Sequence, residues 1–157
     1  MILKALLFLR VLRPYFDIYI NGDLYMRRWW LRGDDIKRET GTITAGVHHI
    51  VSPDRDSDMH THPCTFISVI LWGWYLERLP RDQRQDPRLD EIHTYTRMRL
   101  PLSIAVVRAT DRHSIATVSP GGVWTLVIWL RKQGSWGFWT AEGFVPWRQY
   151  TQRGTKQ

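Results

Sequence analysis

The chain is poor in cysteine, in long apolar runs and in the motifs of common enzyme classes. Cys64 is the single cysteine in 157 residues. It excludes an internal disulfide and fits a reducing, cytoplasmic setting. No apolar run reaches the ~18 residues that a membrane-spanning helix needs. The opening stretch Met1 to Arg10 is apolar, but Lys4, Arg10 and Arg13 cut it and no small-residue cleavage site follows. It reads as a short amphipathic helix over 1–14, ended by Pro14. No Gly-x-Ser-x-Gly elbow, Walker loop or Gly-rich dinucleotide fingerprint occurs, which removes the commonest hydrolase, NTPase and dehydrogenase signatures. No paired carboxylates fall in a plausible cleft segment, and no helix or arm suited to a DNA groove stands out.

Acidic residues are also in deficit. Fifteen Asp and Glu face 22 Lys and Arg, giving a net charge of +7. That balance suits a soluble basic surface, and it favours anionic partners: a small phosphorylated or carboxylated molecule, or a nucleotide. Aromatics, by contrast, are abundant, with nine Trp, six Tyr and five Phe. They can fill a core or line a cavity.

The pattern along the chain is all-β. Tyr15–Ile20 and Asp23–Leu31 flank Asn21-Gly22, a two-residue hairpin signal. On the return strand, Tyr25, Arg27 and Trp29 share one face and Met26, Arg28 and Trp30 the other. Thr42–Val51 reads as a further strand. It carries His48 and His49, of which at most one can face a cavity. Thr65–Glu77 is β-branched and aromatic and reads as a buried strand. Leu79–Leu89, with Pro80 and Pro87 among many charges, reads as a solvated and mobile loop. Glu91–Leu100 alternates as a half-buried strand, with His93, Tyr95, Arg97 and Arg99 on its polar face. Ser103–Val107, His113–Val118, Val123–Leu130 and Trp136–Trp139 complete at least eight short strands. These indicate a single β-sandwich or barrel domain over 1–157, with a flexible tail over 149–157.

One stretch stands out chemically, His60-Thr61-His62. In a strand, residues i and i+2 project from the same face, roughly 7 Å apart at the backbone. Two imidazoles so placed can converge on one metal at about 2.0–2.2 Å. His113 is the best third ligand in the remaining sequence. Imidazoles suit Zn, Cu, Fe and Ni, so ligand type alone does not select the metal. Cys64 is a small buried hydrophobe or a soft extra ligand.

His60, His62 and Gly73 fall where the first cupin motif places its His-x-His pair and glycine. Phe66 occupies the glutamate position, and the second cupin motif is matched only by its histidine, at His113. With Met26–Trp30, His60–Glu77, Trp124–Trp139 and Val145–Arg148, the chain resembles small single-domain cupins of bacteria and phages. The resemblance implies a cupin-type double-stranded β-helix, or jelly roll. It also implies a three-His site for a divalent transition metal, with Fe(II) favoured and Zn, Mn or Ni as alternatives. Three-His iron cupins include thiol dioxygenases, so the implied activity is oxygenation of a small anionic molecule. The alternative is a non-catalytic cupin that holds an anionic ligand such as a nucleotide by stacking and Arg–phosphate pairing. Asp58, His93, Tyr95, Arg97 and Arg108 are candidates for ligand support or anion binding, and a homodimer is a further expectation.

Overall fold

The computed structural model describes residues 11–20, 22–34, 41–54, 58–86 and 93–153. Most of the expected N-terminal helix lies outside these residues. Its described end, Arg13–Pro14, is a short strand, β1. The other strands are β2 (Ile18–Ile20), β3 (Asp23–Arg32), β4 (Thr44–Ile50), β5 (Met59–Thr61), β6 (Cys64–Trp72) and β7 (Tyr75–Pro80). They are followed by β8 (Thr94–Arg99), β9 (Ile104–Val107), β10 (Ser114–Val118), β11 (Val123–Lys132), β12 (Gly137–Thr140) and β13 (Gly143–Pro146). A single described helix, α1, spans Trp147–Arg153, where a loose tail was expected.

A seven-stranded antiparallel sheet runs β1-β3-β4-β11-β6-β9, with β2 paired to β3. Two three-stranded sheets, β10-β7-β8 and β13-β12-β5, complete the jelly roll. Strands β2 and β3, which flank the expected hairpin turn, pair antiparallel with Ile20 opposite Asp23. At the centre of the large sheet, β11 alternates strictly: Val123, Thr125, Val127 and Trp129 are buried on the inner face. The cross-strand register continues that face through His48 and Arg28, which lie opposite each other on β4 and β3. Gly46 makes room there for a large neighbour. A Cβ at this position would sit 2.8 Å from the Trp129 ring and 2.5 Å from the Trp29 carbonyl oxygen.

The expected single strand over Thr65–Glu77 is two strands in different sheets. Gly73, at φ +78°, is the point where the chain leaves β6 and enters β7. A Cβ there would lie 2.5 Å from the Gly122 carbonyl oxygen and 2.6 Å from Ser119 Oγ, so only glycine fits the corner. Strand β8 also differs from its expected half-buried state. Thr94 to Met98 are exposed, and only Arg99 turns inward enough to be partly covered. Alternation there marks an edge strand rather than a core face.

Two apolar clusters fill the interior. One gathers Ile18, Tyr25, Ile50, Ile70, Tyr75, Ile115 and Val123. The other gathers Trp30, Cys64, Phe66, Ala105, Val107, Val127 and Trp129. Cys64 is thus a core residue, 1% exposed.

Candidate metal centre

Backbone pairing brings the histidines together. His60 lies on β5 and His113 immediately precedes β10. The two form a reciprocal bridge, His60 N–H to His113 O at 2.9 Å and His113 N–H to His60 O at 3.2 Å. That bridge stitches the two small sheets to each other. His62, two residues on, projects beside His60, with ring centroids 4.9 Å apart. His113 stands 4.6 Å from the His60 ring and 5.1 Å from the His62 ring. One ring nitrogen from each of the three lies within 4.8 Å of the others, a group able to hold a divalent metal. Two of these donors, His62 Nε2 and His113 Nε2, are already 2.8 Å apart.

Two of the three rings, those of His113 and His60, have a carboxylate behind the nitrogen that faces away from the cluster. His113 Nδ1 meets Glu77 Oε1 at 2.7 Å, and the second oxygen of Glu77 accepts from Arg99 Nε at 2.8 Å and from its Nη2 at 2.7 Å. Glu77 is 1% exposed. Burial alone would raise its pKa, but the hydrogen bonds and charges of His113 and Arg99 outweigh that and hold it at about 2. His60 Nδ1 faces Asp54 Oδ2 at 3.4 Å and has no hydrogen bond of good geometry. Asp54 is itself fixed, with Oδ2 accepting from the Ile115 N–H at 2.6 Å and its carboxylate bonded to Tyr25. A carboxylate on Nδ1 fixes a ring's orientation and tautomer and leaves Nε2 to bind a metal.

The imidazoles are electronically ready as well. Burial pushes the His60 pKa down to about 4, with the nearby Asp54 opposing and His113 adding to the fall. Burial, and then the neighbouring His60 and His113, drive His62 well below its usual value. Neutral imidazole is the ligating form, so metal need displace no proton from either ring near pH 7.

Phe66, at the motif's glutamate position, packs its ring edge-on against His62 with centroids 4.8 Å apart. It closes the cluster on that side without offering a ligand. On the other side, Arg112 is buried and holds the preceding loop. Its guanidinium donates to the Gln83 carbonyl oxygen at 2.6 Å, and its backbone N–H donates to Gln83 Oε1 at 2.8 Å. Of the loop expected over Leu79–Leu89, Leu79 and Pro80 end β7, and Gln83 in the described residues 81–86 is held by Arg112 beside His113.

The candidate supporting residues take other positions. Asp58 accepts from Tyr150 Oη at 3.0 Å, and that ring stacks on Phe138. The carboxylate behind His60 is instead Asp54, four residues earlier. His93, Arg97 and Arg108 are exposed. Tyr95 accepts from Arg97 at 3.4 Å, and the Arg108 backbone N–H is taken by Asp111. On β8 it is Arg99, not Arg97, that reaches Glu77: Arg97 sits directly opposite Glu77, and the contact is the diagonal one. His48 lines the interior, while His49 stacks on Trp124 outside it.

No protein-family model and no curated sequence matches the chain. Among solved structures, it resembles Fe(II)-bound HppE with an alternative substrate at a TM-score of 0.54 and 10% identity, covering 75% of this chain and 56% of that one. A variant of Bacillus subtilis oxalate decarboxylase gives 0.52 at 11% identity, covering 88% and 30%. A putative mannose-6-phosphate isomerase from Ralstonia eutropha gives 0.51 at 13% identity, covering 74% and 94%. The chain thus spans about half the length of HppE. These likenesses define a cupin fold, and the three-histidine cluster lies within it. Among the described residues, no helix is long and apolar enough to cross a membrane.

Proposed function

We propose that the chain is a mononuclear metal cupin, with His60, His62 and His113 as ligands and Fe(II) as the favoured metal. Its proposed activity is oxygenation of a small anionic molecule. The observation that carries the reading is the carboxylate behind two of the three rings, Glu77 on His113 and Asp54 on His60. Histidines that merely fill a core do not need one buried acid bonded to an outer nitrogen and a second facing another at 3.4 Å. Iron so held would supply one-electron chemistry with dioxygen. The chain's own residues gather the three rings, keep His60 and His62 neutral by burial and shield the cluster behind Phe66. Asp54 and Glu77 bring negative charge and Arg99 cancels one unit of it. A divalent ion with three neutral ligands would therefore keep a net positive charge, which favours an anionic substrate. The second reading, a metal-free module holding an anion such as a nucleotide, draws on the aromatic cavity beside His62.

The test is oxygen uptake by protein loaded anaerobically with Fe(II), screened over small carboxylates, amino acids and phosphate esters. Substrate-dependent uptake that disappears in His60→Ala supports the oxygenase. Tight ligand binding that survives His60→Ala, with no uptake for any acid, supports the binding module instead.

A further inference from the structure

A cavity of about 580 Å³ opens beside His62, between the inner face of the large sheet and the segment leading into α1. Its size is that of a site for a medium-sized organic ligand. It is much roomier than a two-carbon acid requires. Its cations are Arg28, Lys132 and Arg148, and among the described residues no carboxylate lines it. Much of its apolar wall is tryptophan: Trp129, Trp136 and Trp147.

Arg28 is built into this wall. It is 7% exposed, and its guanidinium lies 4.3 Å from the Tyr15 ring centroid and 3.8 Å from that of Phe16. Its Nε donates to the Phe16 carbonyl oxygen at 3.1 Å. A guanidinium held by two rings and a carbonyl loses little freedom on taking a further acceptor. A second, independent donor is nearby. Trp136 stacks on Trp147, with centroids 4.6 Å apart, and its buried indole N–H has no hydrogen-bond partner. A buried donor without a partner costs free energy that an acceptor-bearing ligand recovers. Directly across from Arg28, His48 continues the polar line toward His62.

We infer that this cavity binds an aryl or similarly flat organic acid. Its oxyanion sits on Arg28 and the Trp136 indole N–H, and its ring lies against the tryptophan wall. The inference rests on the proposed function only in placing the far end of the ligand near His62. Arg28 is then a specificity-determining residue, and the anion anchor lies on β3 rather than at Arg97 or Arg108. Carboxylate and phosphate ligands share the required chemistry.

The test is calorimetric titration of the metal-free protein with 3-phenylpropionate, phenyl phosphate, the neutral 3-phenylpropionamide and acetate. The two aryl anions should bind, with whichever is tighter marking the acid group preferred. The amide and acetate should each bind at least about tenfold more weakly, the scale of one charged hydrogen bond or one buried ring. Arg28→Gln should weaken the aryl anions at least about tenfold, and Trp136→Phe, which keeps a ring and removes the donor, several-fold. Equal binding of the amide, no binding of either aryl anion, or an unchanged Kd in folded Arg28→Gln would overturn the inference. Should Arg28→Gln fail to fold, Trp136→Phe decides, and unchanged affinity of the aryl anions in that variant overturns the inference. Metal content is measured on the same samples. Protein that binds aryl acids but no metal contradicts the metal-cupin reading alone, and protein that binds metal but no aryl acid contradicts this inference alone.

Discussion

Replacing Glu77 by Gln removes one charge from the interior and keeps nearly the same shape. Glu77 holds its proton about 2.5 pH units less tightly than an ordinary glutamate, from a value of 4.5 to about 2. At about 1.36 kcal/mol per unit, its ionised form is favoured by roughly 3 kcal/mol over what an isolated carboxylate would enjoy. His113 and Arg99 supply that preference, net of desolvation. In Glu77→Gln, Arg99 faces an amide in place of a carboxylate, with its side chain only 13% exposed. Breaking a buried pair in this way costs about 3–5 kcal/mol when one charge is stranded, and less where the amide oxygen still accepts. The expected loss of stability is therefore about 2–3 kcal/mol. The effect on metal is separable. Removing the carboxylate from a ligand histidine typically weakens metal binding about 10–100-fold. Metal affinity is read by competition with a chelator of known affinity, and stability by urea denaturation of the metal-free form. The companion variant Asp54→Asn should weaken metal less, because Asp54 stands 3.4 Å from its histidine where Glu77 stands at 2.7 Å. A Glu77→Gln protein that folds and binds metal as tightly as the wild type would refute the reasoning that Glu77 fixes the His113 ring for ligation.

Other outcomes follow from the same geometry. His60 titrates near 4 in the folded chain and near 6.5 when unfolded, so the unfolded chain binds more protons between these values. Metal-free protein should keep its full stability above about pH 6.5 and lose about 3 kcal/mol through His60 as pH falls toward 4, with His62 adding to the loss in the same direction, so that His60→Asn should make the slope in thermal melts shallower without abolishing it. Glu77 adds a further loss between 4.5 and about 2, since its depressed pKa stabilises only the ionised form. Gly73→Ala places a Cβ at positive φ and against the Gly122 carbonyl oxygen, and should cost more than about 1 kcal/mol by denaturant midpoint. Arg97→Ala and Arg108→Ala, both at exposed positions, should change stability by less than about 0.5 kcal/mol and leave metal affinity alone.

The jelly roll was legible because its signals are local. Alternating and β-branched runs, the Asn21-Gly22 turn and the spacing from His60 to Gly73 each depend on a few neighbouring residues. His113 stood out as the best third ligand in the remaining sequence and matched the histidine of the second cupin motif, although about fifty residues separate it from that pair. The supporting acids were harder to find. Glu77 follows an apolar run and looks like the polar end of a strand. Nothing in the sequence says that β7 belongs to a different sheet and turns this residue inward. Asp54 sits among Asp56 and Asp58 in one polar loop, and composition cannot choose between them. Asp58 is nearer in sequence to His60, yet the chain direction at β5 carries it toward Tyr150. Arg28 offered a weak signal, a cation on the same strand face as Met26 and Trp30. A charged residue with apolar neighbours on its face is a reason to look for a cavity, and here the cavity lies beside it.

The central claim is most directly tested by metal analysis of protein purified without an affinity tag, before and after reconstitution with iron, manganese, nickel and zinc in turn. About one divalent transition metal per chain is expected, lost in His62→Ala while the circular dichroism spectrum is retained. Wild-type protein that holds none of the four at micromolar concentration would contradict it.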